Sequence, residues 1–337
     1  INKILKNNFS KALKSEKQNA VKEIKSLASR KASELILNAI TKDNNTLIGG
    51  SADLAGSNNT KTKYHKIIKP ADFTGNYIHY GVREHAMCGI MNGLALHSKF
   101  IPYGGTFLIF TDYCKPSIRL SALMKQKIIY VMTHDSIGLG EDGPTHQPVE
   151  QLSGLRSIPN LNVFRPADRM ETIECWQLAL ESSKTPSVLS LTRQKLNPVR
   201  KKYSDTNKCS FGAYEVLRTN NKINLTIMAS GSEVNLAIET SLKLAKDKIY
   251  SKVISVPCQE IFDLQSKIYK QKILGETKFK ISIEAASTDC WKKYVGIEGL
   301  TFGIDEFGKS APYKEIYKHF RLTAENISKK TKNLIKN

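Results

Sequence analysis

The sequence predicts an α/β protein of two consecutive domains, each built on a mainly parallel sheet flanked by helices. Short runs of apolar, often β-branched residues, such as Lys127–Met132 and Ser187–Leu191, are typical of buried strands. They alternate with segments in which apolar residues recur at helical spacing, such as Arg30–Ile40. The 337 residues are enough for two domains, and a polar, basic stretch after residue 195 separates two alternating regions.

Polar stretches set the predicted domain boundaries. Residues 1–25 are rich in lysine and carry only a modest helical stripe, so we expect a linker remnant and a chain that is a fragment of a longer protein. The first domain is predicted over residues 26–195, a second linker over 196–209 and the second domain over 210–337.

Composition disfavours several classes of function. No run approaches the roughly 18 apolar residues that a membrane crossing needs. The six cysteines form no C-x-x-C pair, which favours the reduced thiols of a cytoplasmic protein. The net charge of +20 comes from 51 basic residues, and most of these are lysines spread along the chain. We therefore expect neither nucleic acid nor a membrane as partner.

The first predicted strands end in polar residues. Helix Arg30–Ile40 precedes strand Thr46–Gly50, which runs into the polar loop Ser51–Ser57. Strand Tyr77–Tyr80 then leads toward a helix over 86–96 that is apolar on most sides and is predicted to be buried.

Glu84 lies at the start of that apolar helix, where the helix dipole favours a carboxylate. Acidic residues are also common at helix N-termini in general. The pattern alone therefore leaves open whether Glu84 is functional or only a helix-terminus charge.

An aromatic stripe follows the next strand. Strand Phe100–Tyr103 is predicted to end at Gly104–Gly105, and a helix is predicted beyond the glycines. Phe107, Phe110 and Tyr113 would share one face of that helix because they are three residues apart. Such a stripe usually packs in the core, and it can also line a pocket for a flat ring.

The loop Thr133–Pro148 follows strand Lys127–Met132 and contains two histidines, three acidic residues and three glycines. In open α/β sheets, ligands bind at the carboxyl ends of strands, where such loops lie. A solvated polar loop is the alternative. Beyond it, strand Asn162–Phe164 and strand Ser187–Leu191 follow, and the latter places Arg193 at the carboxyl edge of the sheet.

Residues 138–143 match the letters G-x-G-x-x-G of a dinucleotide-binding fingerprint. Glu141 and Asp142 would repel a pyrophosphate, so we expect the glycines to allow a tight turn instead. A metal site formed by His134, Asp142 and His146 fits no established ligand spacing. No metal ligand is expected in this chain.

The second domain repeats the alternation of strands and helices. Its strands are predicted at Leu225–Ala229, Lys252–Val256, Lys280–Ile283 and Leu300–Phe302, and its helices at Glu233–Ala245, Gln259–Ile273 and Ala324–Ile335. The turn Gly231–Glu233 between a strand and a helix could bind an anion. This half shows no catalytic cluster in its sequence.

Several motifs, in order along the chain, resemble those of transketolases. The resemblance runs from about Arg30 to the C-terminus and is densest in segments 49–54, 80–87, 105–108, 133–148, 164–168 and 193–194. Several motifs in the right order are more specific than any one of them. The resemblance implies a domain that binds the pyrimidine ring of thiamine diphosphate, followed by the family's C-terminal domain.

The resemblance implies roles in cofactor binding and catalysis. Glu84 matches the carboxylate that hydrogen-bonds the aminopyrimidine ring and promotes its imino tautomer, and burial would keep this carboxyl group able to exchange a proton. Phe107, Phe110 and Tyr113 match the aromatic pocket around that ring, with Phe110 in closest contact. Asp53 matches a residue near the cofactor.

Substrate-binding residues are implied in the same way. Four positions match those that hold the sugar phosphate: Arg30, Ser57, His146 and Arg193. Arginine suits this task because its planar fork can bind a phosphate through two hydrogen bonds. Asp142 matches a residue that binds a substrate hydroxyl, and His134 matches a catalytic residue that holds the donor's hydroxyls.

The implied reaction is transfer of a two-carbon ketol unit from xylulose 5-phosphate to ribose 5-phosphate or erythrose 4-phosphate in the pentose phosphate pathway. Family active sites lie between the pyrimidine domain and a diphosphate-binding domain of another subunit, which holds Mg²⁺ or Ca²⁺. The Gly-Asp-Gly motif of that domain does not occur here. We therefore expect activity only in a homodimer or heterotetramer with the diphosphate-binding half.

Two alternatives stay open. One is the beta subunit of a thiamine-dependent 2-oxo-acid decarboxylase or dehydrogenase, which has a similar length and domain order. The phosphate-binding set argues against it. The other is a non-catalytic interaction module that kept the fold, against which the presence of Glu84 and His134 argues.

Overall fold

The computed structural model describes residues 2–44, 46–275 and 277–336, with side chains from Phe9 onward, and contains two α/β units in succession. The strands of the first unit are β1 (Leu47–Ser51), β2 (Tyr77–His79), β3 (Ile101–Phe107), β4 (Ile129–Thr133), β5 (Asn162–Phe164) and β6 (Ser187–Leu191). Its helices are α1 (Asn2–Lys22), α2 (Ser29–Thr41), α3 (Ala55–Asn58), α4 (Glu84–His97), α5 (Thr111–Leu123), α6 (Gln151–Arg156) and α7 (Arg169–Glu181). These six strands are parallel, in the order β2-β1-β3-β4-β6-β5.

The second unit has the same layered build. Its strands are β7 (Tyr214–Arg218), β8 (Leu225–Ala229), β9 (Ser251–Ser255), β10 (Phe279–Ile283) and β11 (Leu300–Phe302). Its helices are α8 (Glu233–Lys246), α9 (Gln259–Asp263), α10 (Lys267–Leu274), α11 (Lys292–Val295), α12 (Tyr313–His319) and α13 (Ala324–Lys336). The strand order is β11-β10-β8-β9-β7, and β7 is antiparallel to β9. The predicted fold class, two α/β units with mainly parallel sheets, is confirmed.

Three details of the second unit differ from the prediction. β7 was not predicted, because only Tyr214 of its residues is buried and no apolar run marks an edge strand of this kind. α11 and α12 were not predicted either. The single helix predicted over Gln259–Ile273 is wrong: it is divided into α9 and α10, and the Ser266 side chain caps α10 by accepting a hydrogen bond from the Tyr269 backbone N–H.

The segment assigned to a linker remnant, residues 1–25, is helical over Asn2–Lys22. α1 packs against α2 and α7, and it buries Phe9 and Leu13 in the core of the first unit. Lys17 forms a buried ion pair of 2.8 Å with Glu174 of α7. The weak apolar stripe was therefore enough to attach the helix.

No helix among the described residues combines the length and the apolar character that crossing a bilayer requires.

The predicted end of a strand at Gly104–Gly105 is wrong, because β3 runs through both glycines to Phe107. Neither position has room for a side chain. A Cβ at Gly104 would lie 2.5 Å from Met91 Sδ, and one at Gly105 would lie 2.6 Å from Thr60 Cγ2. The glycines thus permit close packing on the sheet instead of breaking it.

The topology defines one functional edge of the first sheet. From β1 the chain passes to β2 on one side and then returns to β3 on the other, so a topological switch point lies between β1 and β3. Because the strands are parallel, the carboxyl ends of β1, β3, β4 and β6 share this edge. Open α/β sheets bind their ligands at such a place.

Candidate active site

The carboxyl edge of the first sheet collects most of the predicted site residues. β3 ends at Phe107, β4 ends one residue before His134, and β6 ends two residues before Arg193. Glu84 begins α4, which follows β2. Residues from distant parts of the chain therefore lie at the same edge because parallel strands end there together.

Glu84 is buried, with 7% of its surface exposed. The Thr106 hydroxyl donates a long hydrogen bond of 3.3 Å to Glu84 Oε1. A buried carboxyl group with one weak partner in the described structure can bind a ligand and exchange a proton with it.

The prediction that α4 is buried on most sides is wrong, since Ile90 and Leu96 are 47% and 56% exposed on its outer face.

Three aromatic rings line this edge, although they do not share one helix face as predicted. Phe107 ends β3, Phe110 lies in the short 3-10 turn Leu108–Phe110, and Tyr113 lies in the first turn of α5. The ring centroids of Phe107 and Phe110 are 5.8 Å apart, and the two rings are 6° from parallel. The centroids of Phe110 and Tyr113 are 5.9 Å apart. A strand end, a tight turn and a helix start thus build the aromatic wall.

His134 has a strained backbone at the end of β4. Its φ angle is +59°, a left-handed value that few residues other than glycine adopt. Its ring packs on Phe107 at 3.7 Å between centroids, and Nδ1 lies 2.9 Å from Thr133 Oγ1. Burial and the positive charges of Arg30 and Arg193 lower the pKa of His134 to about 3. The ring is therefore neutral at physiological pH.

Two guanidinium groups lie near His134. Arg30 Nη1 donates to the Ser57 carbonyl oxygen at 2.6 Å, and Arg193 Nη1 donates to the Leu139 carbonyl oxygen at 2.8 Å. Burial and the neighbouring charge of Arg193 lower the pKa of Arg30. Within the described chain neither guanidinium forms an ion pair with a carboxylate. Such positive charge suits an anionic ligand, for example a phosphate group.

His146 belongs to the same cluster of rings. Its centroid lies 5.6 Å from that of Phe110 and 6.2 Å from that of Phe107, and both contacts are edge-on. Its Nδ1 is 2.9 Å from Thr145 Oγ1. His146 thus extends the aromatic wall toward the loop that carries it.

The loop between β4 and α6 makes the tight turn that the sequence predicts. Gly140 and Gly143 have φ angles of +94° and +81°, which glycine adopts without strain. Gln147 Nε2 donates to the Gly140 carbonyl at 2.9 Å and to the Lys309 carbonyl of the second unit at 2.8 Å. The second unit therefore holds one side of the loop.

Two predicted site residues lie apart from these contacts. Asp53 and Asp142 are exposed, and neither carboxylate makes a hydrogen bond or an ion pair with another described residue. Asp53 has a φ angle of +61°, which adds a second strained residue at this edge. The roles of both remain predictions.

No group of three or more His, Cys, Asp or Glu side chains in the described parts of the chain could hold a metal ion.

Sequence reasoning missed the side chains that support His134. The Thr133 hydroxyl lies 2.6 Å from Asn58 Oδ1, and Asn58 Nδ2 lies 3.3 Å from Ser51 Oγ. Ser51, Asn58 and Thr133 are completely buried. The sequence carries little signal for them, because small polar residues at strand ends are common in loops of every kind.

Comparison with known proteins identifies relatives of both units. Residues 25–198 match the family described as transketolase, pyrimidine binding domain, and residues 212–323 match the transketolase-like TK C-terminal domain. A transketolase from Sinorhizobium medicae is 50% identical over 302 residues, which cover 89% of this chain and 43% of the relative. One from Cereibacter sphaeroides is 48% identical over 313 residues, covering 93% and 47%. The chain spans a little under half the length of these relatives.

Solved structures agree. Transketolase from Leishmania mexicana superposes with a TM-score of 0.86 at 43% identity, covering 92% of this chain and 46% of that one. A split-gene transketolase, solved as an inactive beta4 tetramer, superposes with a TM-score of 0.74 and covers 92% of this chain and 99% of that one. At 21% identity the latter likeness concerns the fold alone.

Proposed function

This chain belongs to the transketolase family, and we propose that it provides the pyrimidine-binding side of the active site of a thiamine-diphosphate-dependent ketol transferase. One observation carries the proposal. A buried carboxylate (Glu84), stacked rings (Phe107 and Phe110) and two guanidinium groups (Arg30 and Arg193) lie at one sheet edge. The carboxylate and rings suit an aminopyrimidine, and the guanidinium groups suit a sugar phosphate.

The residues present fit the pyrimidine ring of thiamine diphosphate. Phe107 and Phe110 form a nearly parallel pair, and a flat heteroaromatic ring stacks well on such a surface. Tyr113 and Asp53 would border the ring from their exposed positions. Glu84 would hydrogen-bond the ring and hold or release a proton at its carboxyl oxygens. When bound, the cofactor supplies the electron sink for breaking and forming a carbon–carbon bond.

The proposed substrates are sugar phosphates, with xylulose 5-phosphate as donor and ribose 5-phosphate or erythrose 4-phosphate as acceptor, as in the pentose phosphate pathway. The phosphate would lie among Arg30, Ser57, His146 and Arg193. His134 is neutral and would accept a hydrogen bond from a donor hydroxyl. Asp142 would bind another hydroxyl from the edge of the loop.

An exposed apolar surface supports the proposal of a partner. Large apolar side chains are exposed on α4, on α5 and two residues before α4: Val82, Ile90, Leu96, Tyr113, Leu120 and Leu123. Grouped apolar side chains of this kind mark protein–protein interfaces. We propose that the diphosphate-binding half, with its Mg²⁺ or Ca²⁺, docks here in a homodimer or heterotetramer. The six cysteines are free thiols, which suits the proposed cytoplasmic location.

The test joins this chain to the part of the Sinorhizobium medicae transketolase that it does not cover. Ketol transfer from xylulose 5-phosphate to ribose 5-phosphate is then measured with thiamine diphosphate and Mg²⁺. We expect turnover by the joined protein and none by this chain alone. Turnover by the isolated chain would contradict the proposal, as would a joined protein that folds and binds the cofactor but transfers no ketol unit.

A further inference from the structure

We propose that a directed chain of hydrogen bonds, from the Gly105 carbonyl through Ser51, Asn58 and Thr133, fixes His134 as the tautomer with its proton on Nδ1. Nε2 is then an unprotonated acceptor. In this relay, Ser51, Asn58 and Thr133 are positioning residues that act through His134.

The direction of the relay is set at its first member. Ser51 Oγ lies 3.0 Å from the Gly105 carbonyl oxygen. A carbonyl carries no proton, so a hydrogen bond exists there only if the Ser51 hydroxyl donates it. Because the Ser51 hydroxyl uses its one hydrogen in this bond, Ser51 Oγ can only accept hydrogen bonds from other groups. It accepts from the Leu54 backbone N–H at 3.2 Å and from Asn58 Nδ2 at 3.3 Å.

The amide orientation of Asn58 follows from that step. Its NH₂ group faces Ser51, so its carbonyl oxygen faces Thr133, which must donate to it. The lengths agree with this direction. The contact between Thr133 Oγ1 and Asn58 Oδ1 is 2.6 Å. That length fits an O–H···O bond of about 2.5–3.0 Å and is short for an N–H···O bond of about 2.7–3.2 Å. The reversed amide would place a nitrogen at the short contact.

The last step assigns the proton of His134. The Thr133 hydroxyl already donates its one hydrogen bond to Asn58. At the 2.9 Å contact with His134 Nδ1 it can therefore only accept. Nδ1 must therefore carry the hydrogen. No other described residue hydrogen-bonds to the ring, and packing on Phe107 at 3.7 Å prevents it from turning over freely. Burial and nearby positive charges keep the ring neutral, with a pKa of about 3.

The relay is closely packed. Ser51, Asn58 and Thr133 are fully buried, so their hydrogen bonds have no competing contact with bulk solvent. A Cβ at Gly105 would lie 3.1 Å from Asn58 Nδ2 and closer still to Thr60. The glycine that lets β3 continue is thus also what admits Asn58 to its place.

His65 provides a natural control in the same unit. Its Nδ1 accepts from the Thr62 backbone N–H at 2.8 Å, which only an unprotonated nitrogen can do. Its Nε2 lies 3.0 Å from the hydroxyl of Tyr103, which itself donates to the Thr60 carbonyl at 2.8 Å. His65 is therefore the opposite tautomer, with its proton on Nε2.

The assignment of the tautomer needs only this geometry, whereas its use rests on the function proposed above. An unprotonated Nε2 can accept a hydrogen bond from a sugar hydroxyl, and later a proton, but it cannot donate one. In the chain without a bound anion, the relay would thus give His134 a hydrogen-bond acceptor for a sugar hydroxyl.

The experiment is long-range ¹H–¹⁵N correlation on this chain with ¹⁵N-labelled histidine, because the two tautomers of a neutral imidazole give different cross-peak patterns. A His134→Gln variant identifies the His134 peaks. We expect the Nδ1–H pattern for His134 and the Nε2–H pattern for His65. An Nε2–H pattern for His134 in the unaltered chain would overturn the proposal, whatever the activity of the joined protein.

Thr133→Val and Thr133→Ser then test the relay itself. Valine keeps the shape and removes the acceptor, so we expect His134 to lose its Nδ1–H preference. Serine keeps the hydroxyl, so we expect the preference to remain. The unchanged His65 pattern shows that the unit is folded. If Thr133→Val does not fold, Ser51→Ala serves instead, since it frees the Asn58 amide to turn. An unchanged His134 tautomer in the folded variant would refute the relay.

Discussion

In both units a glutamate begins a helix that follows a strand at the carboxyl edge of the sheet, but the two glutamates differ in their charged partners. In the first unit the edge leaves Glu84, at the start of α4, with one weak hydrogen bond among the described residues, and leaves two guanidinium groups without ion pairs. In the second unit Glu233, at the start of α8, also follows a strand end, but the edge is filled by an arginine of the first unit. We call them the open edge and the filled edge.

The filled edge is a buried ion cluster. Arg165, from the segment after β5, pairs with Glu233 at 2.5 Å and with Asp135 at 2.9 Å. Beside it, Arg156 binds both carboxylate oxygens of Glu284 at 2.7 and 2.9 Å. The Arg165, Glu233 and Glu284 side chains have no exposed surface. The two guanidinium groups thus face three carboxylates, and both positive charges are paired within the protein, which leaves no free positive charge for an anionic ligand.

This difference shows what strand-end patterns leave undetermined. The turn Gly231–Glu233 predicts an anion site, and this prediction is wrong, because the buried Arg165 side chain fills the turn and its charge is already paired with Glu233 and Asp135. A Cβ at Gly231 would lie 2.8 Å from Arg165 Cγ, so the glycine makes room for the arginine. A turn with the right glycine is competent for a ligand only if the rest of the chain does not fill it.

The largest expected effect comes from emptying the filled edge. Arg165→Met keeps most of the volume but leaves Glu233 and Asp135 buried without their partner. We expect the free energy of unfolding to fall by about 3–5 kcal/mol, measured by urea denaturation. Lys318→Met is the matched control, because its 2.9 Å pair with Glu315 is exposed and worth about 0–1 kcal/mol. Equal losses in both variants would mean that the filled edge is not a special source of stability.

At the open edge an arginine substitution should affect binding instead. In the joined protein, Arg193→Ala removes a charge-assisted contact of roughly 1.5–3 kcal/mol from a phosphorylated acceptor. An unphosphorylated acceptor should lose much less. Lys195→Ala, a nearby exposed cation, controls for the general positive field. Steady-state kinetics with both acceptors decide the matter, and a similar loss for the two would identify Arg193 as structural.

The fold could be predicted largely from local pattern. β5, β6, β8 and β11 have the bounds expected from their apolar runs, because buried parallel strands concentrate such residues. The errors arose where tertiary packing decides. The glycines of β3 were interpreted as breakers although they serve close approach, and α1 was interpreted as a linker although its few apolar residues bury well.

Candidate site residues could be named from the sequence, and their roles stay predictions; the side chains that hold them in place could not be named. Resemblance to a family named Glu84, Phe110 and His134, and strand ends explain why such residues meet. The relay behind His134 could not be predicted, because it joins positions 51, 58, 105 and 133 through contacts that leave no periodic signal. The ion cluster around Arg165 likewise depends on how the two units pack, which a local pattern does not contain.

Acidification should lower the free energy of unfolding through a different group at each edge. The effect per unit of pH should be smaller than the effects of the two arginine substitutions. His134 has a pKa lowered to about 3, so below about pH 6.5 the unfolded chain binds a proton that the folded chain excludes. Stability should fall by up to about 1.4 kcal/mol per pH unit from this group as pH drops from 6.5. Glu284 has its pKa lowered to about 2, so its contribution is kept until about pH 4.5 and is lost below that.

Urea denaturation between pH 7.5 and 5 measures the first of these effects. His134→Gln should remove its share of the slope, while the similar contribution of His65, with a pKa lowered to about 4, should remain. An identical slope in His134→Gln would show that the ring is not held neutral by the open edge.

The most direct test compares the two helix-terminal glutamates in the joined protein. Glu84→Gln and Glu233→Gln are the same change, made at the open and the filled edge. We expect Glu84→Gln to lower ketol transfer by on the order of 10² or more while stability changes by less than about 1 kcal/mol. Glu233→Gln should instead lower stability by several kcal/mol and leave turnover per folded molecule little changed. Unchanged turnover in Glu84→Gln would contradict the claim that the open edge is the active site.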